Sequence, residues 1–308
     1  MIWGFLGVLA FSFSLPFTRV AVEDLDATFV GLGRALVAAA LAAIFLTATK
    51  AKLPARKDLP RFAIVGLGVV IGFPLFSSLA LKSLESAHAS IVVGLLPAAT
   101  AVFAVLRAGE RPTKAFWFAA AAGLLAVIAF AATQGVNGIA VADLLVLVAV
   151  ILGALGYAEG GALSRTYGGP QTICWALLVT APFLVIPVAI AAQQPMHASP
   201  QAWLGFAYVS AISMFLGFFA WYRGLALGGV AKIGQTQLAQ PVLTLLWSAL
   251  ILSEQITASM IVAALAVLTC VLATQRTRAS AHDERGRRSA LDANGNLGQG
   301  APLPRSPH

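Results

Sequence analysis

The chain has 308 residues, of which 59% are hydrophobic and only 10% are charged, whereas soluble proteins are about half apolar and about a quarter charged. A water-soluble fold cannot bury so large an apolar fraction, so the composition excludes a soluble globular protein. The formal net charge of +8 does not indicate a nucleic-acid-binding protein, because the basic residues are distributed along the chain rather than concentrated on one polar face.

Ten apolar segments are each long enough to cross the hydrocarbon core of a bilayer, which takes a helix of about 20 residues. Short segments rich in proline, glycine and charge separate them. Transmembrane β-strands would be about 10 residues long with strict alternation, so the pattern predicts helices. In chain order the predicted helices are 2–22, 27–49, 61–81, 87–107, 113–132, 139–162, 171–192, 201–224, 230–252 and 257–275.

The basic residues predict the orientation of these helices. If the N-terminus is cytoplasmic, only Arg19, Arg34 and Lys82 of the 20 Lys and Arg residues lie toward the other side, as the positive-inside rule requires. After ten helices the C-terminus is also cytoplasmic. Residues 277–308 are polar and rich in Gly, Pro and Arg, a composition that cannot bury enough apolar area to fold, so they are predicted to form a disordered cytoplasmic tail.

A shift of 144 positions aligns the fourth and fifth predicted helices with the ninth and tenth. Over residues 81–129 there are 13 identities in 49 positions, among them Pro97 with Pro241, Thr100 with Thr244 and Glu110 with Glu254. Because each half holds an odd number of helices, the second half enters the membrane from the opposite side. The prediction is an all-α polytopic membrane protein with ten transmembrane helices in two inverted five-helix repeats, residues 1–135 and 136–276.

The segments that carry this repeat read ALKSLESAHASIVVGLLPAATAVFAVLRAGERPT and RGLALGGVAKIGQTQLAQPVLTLLWSALILSEQIT. Together with the ten helices they resemble the two EamA-type repeats of the drug/metabolite transporter superfamily. The resemblance implies a carrier of the inner (plasma) membrane, often an exporter of amino acids, metabolites or toxic organic compounds, that uses the proton gradient. It also implies a cavity built from the first, third, fourth, sixth, eighth and ninth helices.

The ninth predicted helix carries a polar stripe. Its members follow one another at spacings of three, four and three, which places them on one helical face; they are Gln237, Gln240, Thr244 and Trp247. Exposing amides to lipid is expensive, so the stripe contacts either neighbouring helices or a wet cavity that binds solute. Of these two, we expect the stripe to face the cavity. Tyr157, which lies among several glycines of the sixth helix, is a further cavity candidate.

Four ionisable residues within the predicted helices are functional candidates, namely Arg34, His88, Glu159 and Lys232. Arg34 could meet a substrate carboxylate, extend to the outer surface, or pair with Glu23 or Glu85. Glu159 is a candidate for proton coupling, and its structural alternative is an ion pair with Arg165 or Lys232.

His88 is the other candidate for proton coupling, although its place near the outer surface favours an ordinary solvated imidazole. Trp221 and Tyr222, at the end of the eighth helix, are interpreted as interfacial anchors.

Pro97 and Pro241 each remove a backbone hydrogen bond within a predicted helix, so they are candidates either for hinges beside the cavity or for static kinks. Glu110 and Glu254 each lie three residues before a threonine that begins a helix. Stabilising the N-terminal end of that following helix is their simplest role.

Two other classes of function compete with transport. An enzyme embedded in the membrane is not indicated, because the chain has no HExxH, GxSxG or P-loop motif and its four histidines are scattered. We therefore expect no catalytic residue, metal or cofactor. A non-transporting structural or sensory membrane protein stays open as an alternative, although the repeat argues against it. The expected partners are a small-molecule solute, the lipid bilayer and protons.

Overall fold

The structure is a computed structural model that describes residues 2–108, 113–134, 140–194, 198–274 and 276. Over these residues the chain is helical and contains no β-strand. The predicted tail, residues 277–308, lies outside the described residues. In chain order the helices are α1 Ile2–Asp24, α2 Phe29–Ala48, α3 Arg56–Ala80, α4 Ser86–Arg107, α5 Lys114–Thr133, α6 Val141–Tyr167, α7 Gly169–Ala191, α8 Pro200–Gly228, α9 Thr236–Leu252 and α10 Ala258–Thr274.

These helices occupy the places that the apolar segments predict. In the described part of the chain, the first eight are long and apolar enough to cross a membrane, and α9 and α10 are shorter apolar helices. Large apolar side chains such as Phe118, Phe183 and Leu250 remain exposed on the outside of the bundle, where a soluble protein would carry polar groups. The prediction of an all-helical, multi-pass membrane protein is confirmed.

The helix α1 is interrupted at Phe13, between Ile2–Ser12 and Ser14–Asp24. The cause is Pro16, which has no N–H to donate to the carbonyl four residues earlier, that of Ser12. The hydroxyl of Thr244 in α9 donates a hydrogen bond of 2.9 Å to this carbonyl instead. The break in α1 is therefore joined to the polar stripe of α9.

Wide, π-helical turns occur in α2 at Phe29–Gly33, in α3 at Gly66–Gly72 and in α8 at Tyr208–Gly217. Such turns are frequent at functional sites. The glycines of the second turn also allow close packing, because a Cβ on Gly68 would lie 2.5 Å from the carbonyl oxygen of Leu152 in α6. Any larger residue at this position would push α3 and α6 apart.

Particular pairs of helices pack closely against each other. The N-terminal half of α1 packs against the C-terminal part of α8, and α3 packs against α6. The pairs α2 with α7 and α4 with α9 cross between the two halves of the chain, and α4 also packs against α6. The space between α1, α2, α3, α6, α8 and α9 holds the cavity described next.

Candidate functional site

A small cavity of about 30 Å³ lies between six helices of the bundle. Its wall is mostly aromatic and aliphatic, with a few polar side chains, an arrangement typical of sites for small organic molecules. The apolar wall consists of Phe11, Leu15, Val69, Phe73, Tyr157, Met214 and Phe218, and the polar groups belong to Ser14, Arg34, Ser213 and Gln240.

Arg34 follows directly on the π-helical turn of α2 and lines this cavity. The side chain is only 3% exposed, so it does not extend to the outer surface. No described residue forms a salt bridge or hydrogen bond with Arg34, and its Nε is buried without a partner. The alternative pairing with Glu23 or Glu85 is therefore wrong, and the guanidinium faces the cavity unpaired.

The polar stripe of α9 is divided between two roles. Gln240 lines the cavity, and its Oε1, like the Nε2 of the buried Gln237, has no partner among the described residues. Thr244 and Trp247 contact α1 instead, since the Trp247 indole donates a 3.0 Å hydrogen bond to the Ser12 hydroxyl. Of the four residues of the stripe, Gln240 faces the cavity, whereas Thr244 and Trp247 join helices.

Aromatic stacking between α1, α8 and α9 covers the cavity on the side that the basic residues predict to be outer. Phe13 stacks on Trp247 with ring centroids 4.3 Å apart, and Phe17 stacks on Tyr208 at 4.4 Å. The hydroxyls of Ser14 and Ser213 are hydrogen-bonded at 2.6 Å. These contacts join α1 to α8 and α9.

Tyr157 lines the cavity and packs against Trp221, with ring centroids 5.4 Å apart. Trp221 and Tyr222 are only 1% and 0% exposed, so their interpretation as interfacial anchors is wrong. The Tyr222 hydroxyl donates to the Gly156 carbonyl at 3.2 Å. Because α8 extends beyond its predicted end, both rings lie within the bundle against α1 and α6 rather than at the membrane surface.

Glu159 in α6 forms the centre of an ionic cluster at the predicted cytoplasmic end. Its carboxylate is 2% exposed and accepts hydrogen bonds from Arg61 of α3 and from Arg107 of α4, whose Nη2 lies 3.0 Å away. Arg61 is also paired with Asp58 at 3.5 Å. The expected pairing with Arg165 is wrong, because helix packing brings two cations distant in sequence to the carboxylate. The side chain of Lys232, the other expected partner, lies outside the described residues. The cluster joins three helices.

His88 in α4 is buried, 7% exposed, so its interpretation as a solvated imidazole is wrong. Its Nε2 lies 2.7 Å from Oδ1 of Asp143 in α6, and Phe130 covers the ring at 4.8 Å between centroids. The other carboxylate oxygen of Asp143 accepts from the Ala140 N–H at 3.0 Å. Asp143 was missed in the sequence, although an acid four residues inside a predicted helix was a usable signal.

Glu254 lies between α9 and α10, and its carboxylate accepts hydrogen bonds from the backbone N–H groups of Ser86 and Ala87 at 2.8 and 2.7 Å. It therefore stabilises the N-terminal end of α4. The prediction that it stabilises the N-terminal end of the following helix is wrong. Thr257 accepts from the Met260 N–H at 3.3 Å and caps α10 by itself. Glu110 lies outside the described residues.

Replacing Glu254 by Ala is expected to lower the free energy of unfolding by about 1–2 kcal/mol, because two partly buried N–H groups lose their acceptor. Burial raises the pKa of the Glu254 carboxyl, although the two N–H groups oppose this. The folded protein therefore holds the proton more tightly than the unfolded one, and this contribution to stability grows as the pH falls from 7 toward 5.

Thermal unfolding of the purified protein between pH 5 and pH 7 checks this prediction. The deficit of Glu254→Ala relative to the wild type should be larger at pH 5. Glu85→Ala is the matched control, since Glu85 is exposed, precedes the same helix and forms no capping bond with its side chain. A deficit that shrinks toward pH 5 would contradict the proposed environment of Glu254.

Pro97 and Pro241 lie beside interruptions of α4 and α9. The first of these helices is irregular at 94–95, directly before the turn that holds Pro97, and the second has a tight 3₁₀ turn at Gln235–Leu238. The two interruptions meet, because a Cβ on Gly94 would lie 3.4 Å from Cγ of Pro241. The prolines thus mark the crossing of α4 and α9, and their role as hinges stays a prediction.

Comparison with known proteins places this architecture in a family. The model of the EamA-like transporter family matches residues 1–132 and 140–274 of the chain. The chain belongs to this family. The predicted resemblance to EamA-type carriers of the drug/metabolite transporter superfamily is confirmed, and family membership and the transporter-named relatives point to a multi-pass membrane transporter rather than an enzyme.

Individual relatives agree with membership of the EamA-like family. A Bacillus subtilis protein named as the uncharacterized transporter YdeK is 45% identical over 281 residues, which cover 89% of this chain and 96% of that protein. A probable terminal-alkyne amino-acid exporter of Streptantibioticus cattleyicolor is 24% identical over 74% of this chain and 76% of its own. A known crystal structure, 16% identical, matches with a TM-score of 0.62 over 88% of this chain and 94% of that one, which shows a shared fold.

Proposed function

We propose that the protein is a secondary transporter that exports a small organic solute, an amino acid, metabolite or drug-like compound, by alternating access with proton coupling. The observation that carries the proposal is the central cavity, which is enclosed by helices from both halves of the chain and contains polar groups without protein partners. A fixed site between two halves that rock against each other is the design of many secondary transporters. The exporter name of the Streptantibioticus relative supports the direction.

The contacts between helices support two inverted repeats, residues 1–135 and 136–276, with ten transmembrane helices. Exchanging the halves turns the pair α1 with α8 into the pair α6 with α3, and both pairs pack closely. The 144-residue offset also places the π-helical turn Gly66–Gly72 of α3 within the turn Tyr208–Gly217 of α8. A repeated backbone irregularity in register is difficult to obtain without a structural repeat.

The membrane orientation in the proposal follows from charge. The basic residues of the loops and the tail support cytoplasmic positions for both termini, and the family resemblance supports the inner (plasma) membrane of the cell. In this orientation the cluster of Glu159, Arg61 and Arg107 lies at the cytoplasmic end of the cavity. The stacked pairs of Phe13 with Trp247 and Phe17 with Tyr208 lie at the outer end.

The proposal assigns different roles to the two candidates for proton coupling. Glu159 is held by two guanidinium groups from neighbouring helices, an arrangement suited to a gate that separates when the cavity opens to the cytoplasm. His88 lies beside one carboxylate, that of Asp143, and an imidazole has one ring nitrogen that can donate a proton and one that can accept one. We therefore favour His88 as the proton carrier and Glu159 as the gate.

A flux assay with purified protein in proteoliposomes tests the proposed function. A panel of labelled anionic, neutral and cationic solutes is loaded inside, and efflux is followed with and without an imposed pH gradient. At least one class of solute should leave faster than from protein-free liposomes, and the gradient should accelerate it. If no solute in the panel moves in either direction, the proposal is contradicted, and the result favours the alternative of a structural or sensory membrane protein.

A further inference from the structure

Resting on the proposed function, we infer that Arg34 binds a carboxylate of the transported solute, so that the substrates of this carrier are small organic monoanions with an apolar or aromatic body. The guanidinium lines the central cavity, is 3% exposed, and has a buried Nε without a partner in the described part of the chain. An ionised group in a membrane protein normally pairs with another group or serves function.

The charge balance of the cavity points to an anion. Arg34 is the ionised side chain of the cavity wall, and no Asp or Glu lines it among the residues that the structure describes. The arginines of the Glu159 cluster show the contrast, because Arg61 and Arg107 both have a carboxylate partner. Since leaving a buried charge unpaired is costly, the missing counter-charge at Arg34 is supplied by the solute.

The planar shape of the guanidinium indicates which anionic group the solute carries. Its planar set of N–H donors fits a carboxylate with two parallel hydrogen bonds. One such group neutralises one negative charge, so the site suits a monoanion rather than a dianion. The absence of a carboxylate in the described wall disfavours an amine that has no acid group, even though aromatic rings attract cations.

The remaining wall of the cavity determines what is attached to the carboxylate. Phe11, Phe73, Phe218 and Met214 provide an apolar surface that only an apolar or aromatic group can match. The Oε1 of Gln240 has no partner among the described residues and can accept a hydrogen bond from an N–H or O–H group of the solute. A carboxylate for Arg34, a donor for Gln240 and an apolar body for the rings are the groups that match this lining.

Binding to the purified full-length protein tests this inference through thermal unfolding. The probes are phenylacetate, phenylacetamide and 2-phenylethylammonium, together with butyrate, butyramide and butylammonium, so that each set shares an apolar body and differs in charge. The carboxylates should raise the unfolding temperature of the wild type, and the amides and ammonium ions should not. In Arg34→Gln the apparent affinity for the carboxylates should fall at least about tenfold, the loss expected for a charge-assisted hydrogen bond.

Arg19→Gln is the matched control, because Arg19 lies outside the cavity and donates to the Leu81 carbonyl at 2.8 Å. This variant should keep the response to carboxylates. The inference is overturned if the amides or ammonium ions stabilise the wild type equally, if Arg34→Gln responds as the wild type does, or if no carboxylate stabilises the wild type.

A second variant separates a binding role from a structural one without any ligand. Arg34→Met removes an unpaired buried charge, so the unliganded protein should unfold at a temperature higher by about 2 °C or more. A lower unfolding temperature would mean that Arg34 stabilises the fold, and would overturn the inference. If neutral or cationic solutes cross proteoliposomes while carboxylates neither bind nor move, the inference fails and the proposed transport stands.

Discussion

Replacing Glu159 by Gln is expected to open the predicted cytoplasmic end of the cavity and to reduce solute flux at least about tenfold. The carboxylate of Glu159 is buried and holds Arg61 of α3 and Arg107 of α4 against α6. Breaking a buried ion pair costs about 3–5 kcal/mol. Because the two arginine side chains are 32% and 50% exposed, water can solvate them again, and a cost of about 2–3 kcal/mol is more realistic.

A cost of this size changes the balance between the conformations of a carrier. Each 1.4 kcal/mol is about a tenfold change in an equilibrium constant, so the conformation in which the cluster is formed should become about 30- to 140-fold less populated relative to the open one. Alternating access needs both conformations, so a carrier held in one of them turns over slowly. Flux should therefore fall even though the cavity itself is unchanged.

The rate at which a cavity residue is alkylated from the cytoplasmic side measures how often the cavity opens to that side. The cavity residue Met214 is replaced by cysteine in a background of Cys174→Ala and Cys270→Ala, and a membrane-impermeant maleimide is applied to inside-out vesicles. With Glu159→Gln the rate of alkylation should rise about tenfold. The control is Glu23→Gln, an exposed acid at the other end of the bundle. Unchanged alkylation, or an equal rise from the outer side, would show that the cluster is not a cytoplasmic gate.

Replacing Asp143 by Ala is expected to destabilise the protein by about 3–4 kcal/mol. The His88 imidazole would lose its 2.7 Å partner in a buried place, and the Ala140 N–H at the start of α6 would lose its acceptor. Removing one member of a buried polar pair leaves the other desolvated and unpaired. The unfolding temperature should fall by on the order of 10 °C.

A double-mutant cycle separates the pair from the two individual side chains. His88→Leu combined with Asp143→Leu should be less destabilised than the sum of the single variants, because neither partner is left unpaired. Asp24→Ala serves as the control, since this acid accepts only an exposed hydrogen bond from Ser199. Additive effects would contradict a direct interaction between His88 and Asp143.

Variants of His88 and Glu159 test which of the two residues carries the coupled proton. His88→Gln removes the titratable imidazole, so solute flux should no longer accelerate when a pH gradient is imposed. Glu159→Gln should keep that acceleration, although at a lower total flux. The reverse result, with coupling lost only in Glu159→Gln, would make Glu159 the proton carrier and His88 a structural residue.

The apolar segments and their order could be read from the sequence because each helix must satisfy its backbone hydrogen bonds locally in a membrane. Local capping was equally accessible, and Thr257 caps α10 as its position in the sequence suggested. The interruption at Phe13 was harder to predict, although Pro16 in the sequence implies that the carbonyl of Ser12 lacks its partner within the helix. Only the tertiary structure shows that the hydroxyl of Thr244, in the second half of the chain, donates a hydrogen bond to that carbonyl.

The partners of the buried polar side chains were not readable from the sequence. Glu159 was expected to meet Arg165 or Lys232, which are near it along the chain or in a neighbouring loop, and it meets Arg61 and Arg107. His88 and Asp143 are 55 residues apart and pair in the interior. Such contacts depend on how whole helices pack, and nothing in the spacing of the residues encodes the crossing of α4 with α6.

The sequence by itself determined that the chain lies in a membrane and where its apolar segments fall, and it predicted two halves that share one pattern, since each of these depends on composition and local spacing. The tertiary structure decided which polar groups remain without a partner. Arg34 could have paired with an acid or reached the surface, and only the packing of α2 into the bundle leaves its charge facing the cavity. Burial is a property of the packed helices, and it turns one arginine among many into the group that selects the solute.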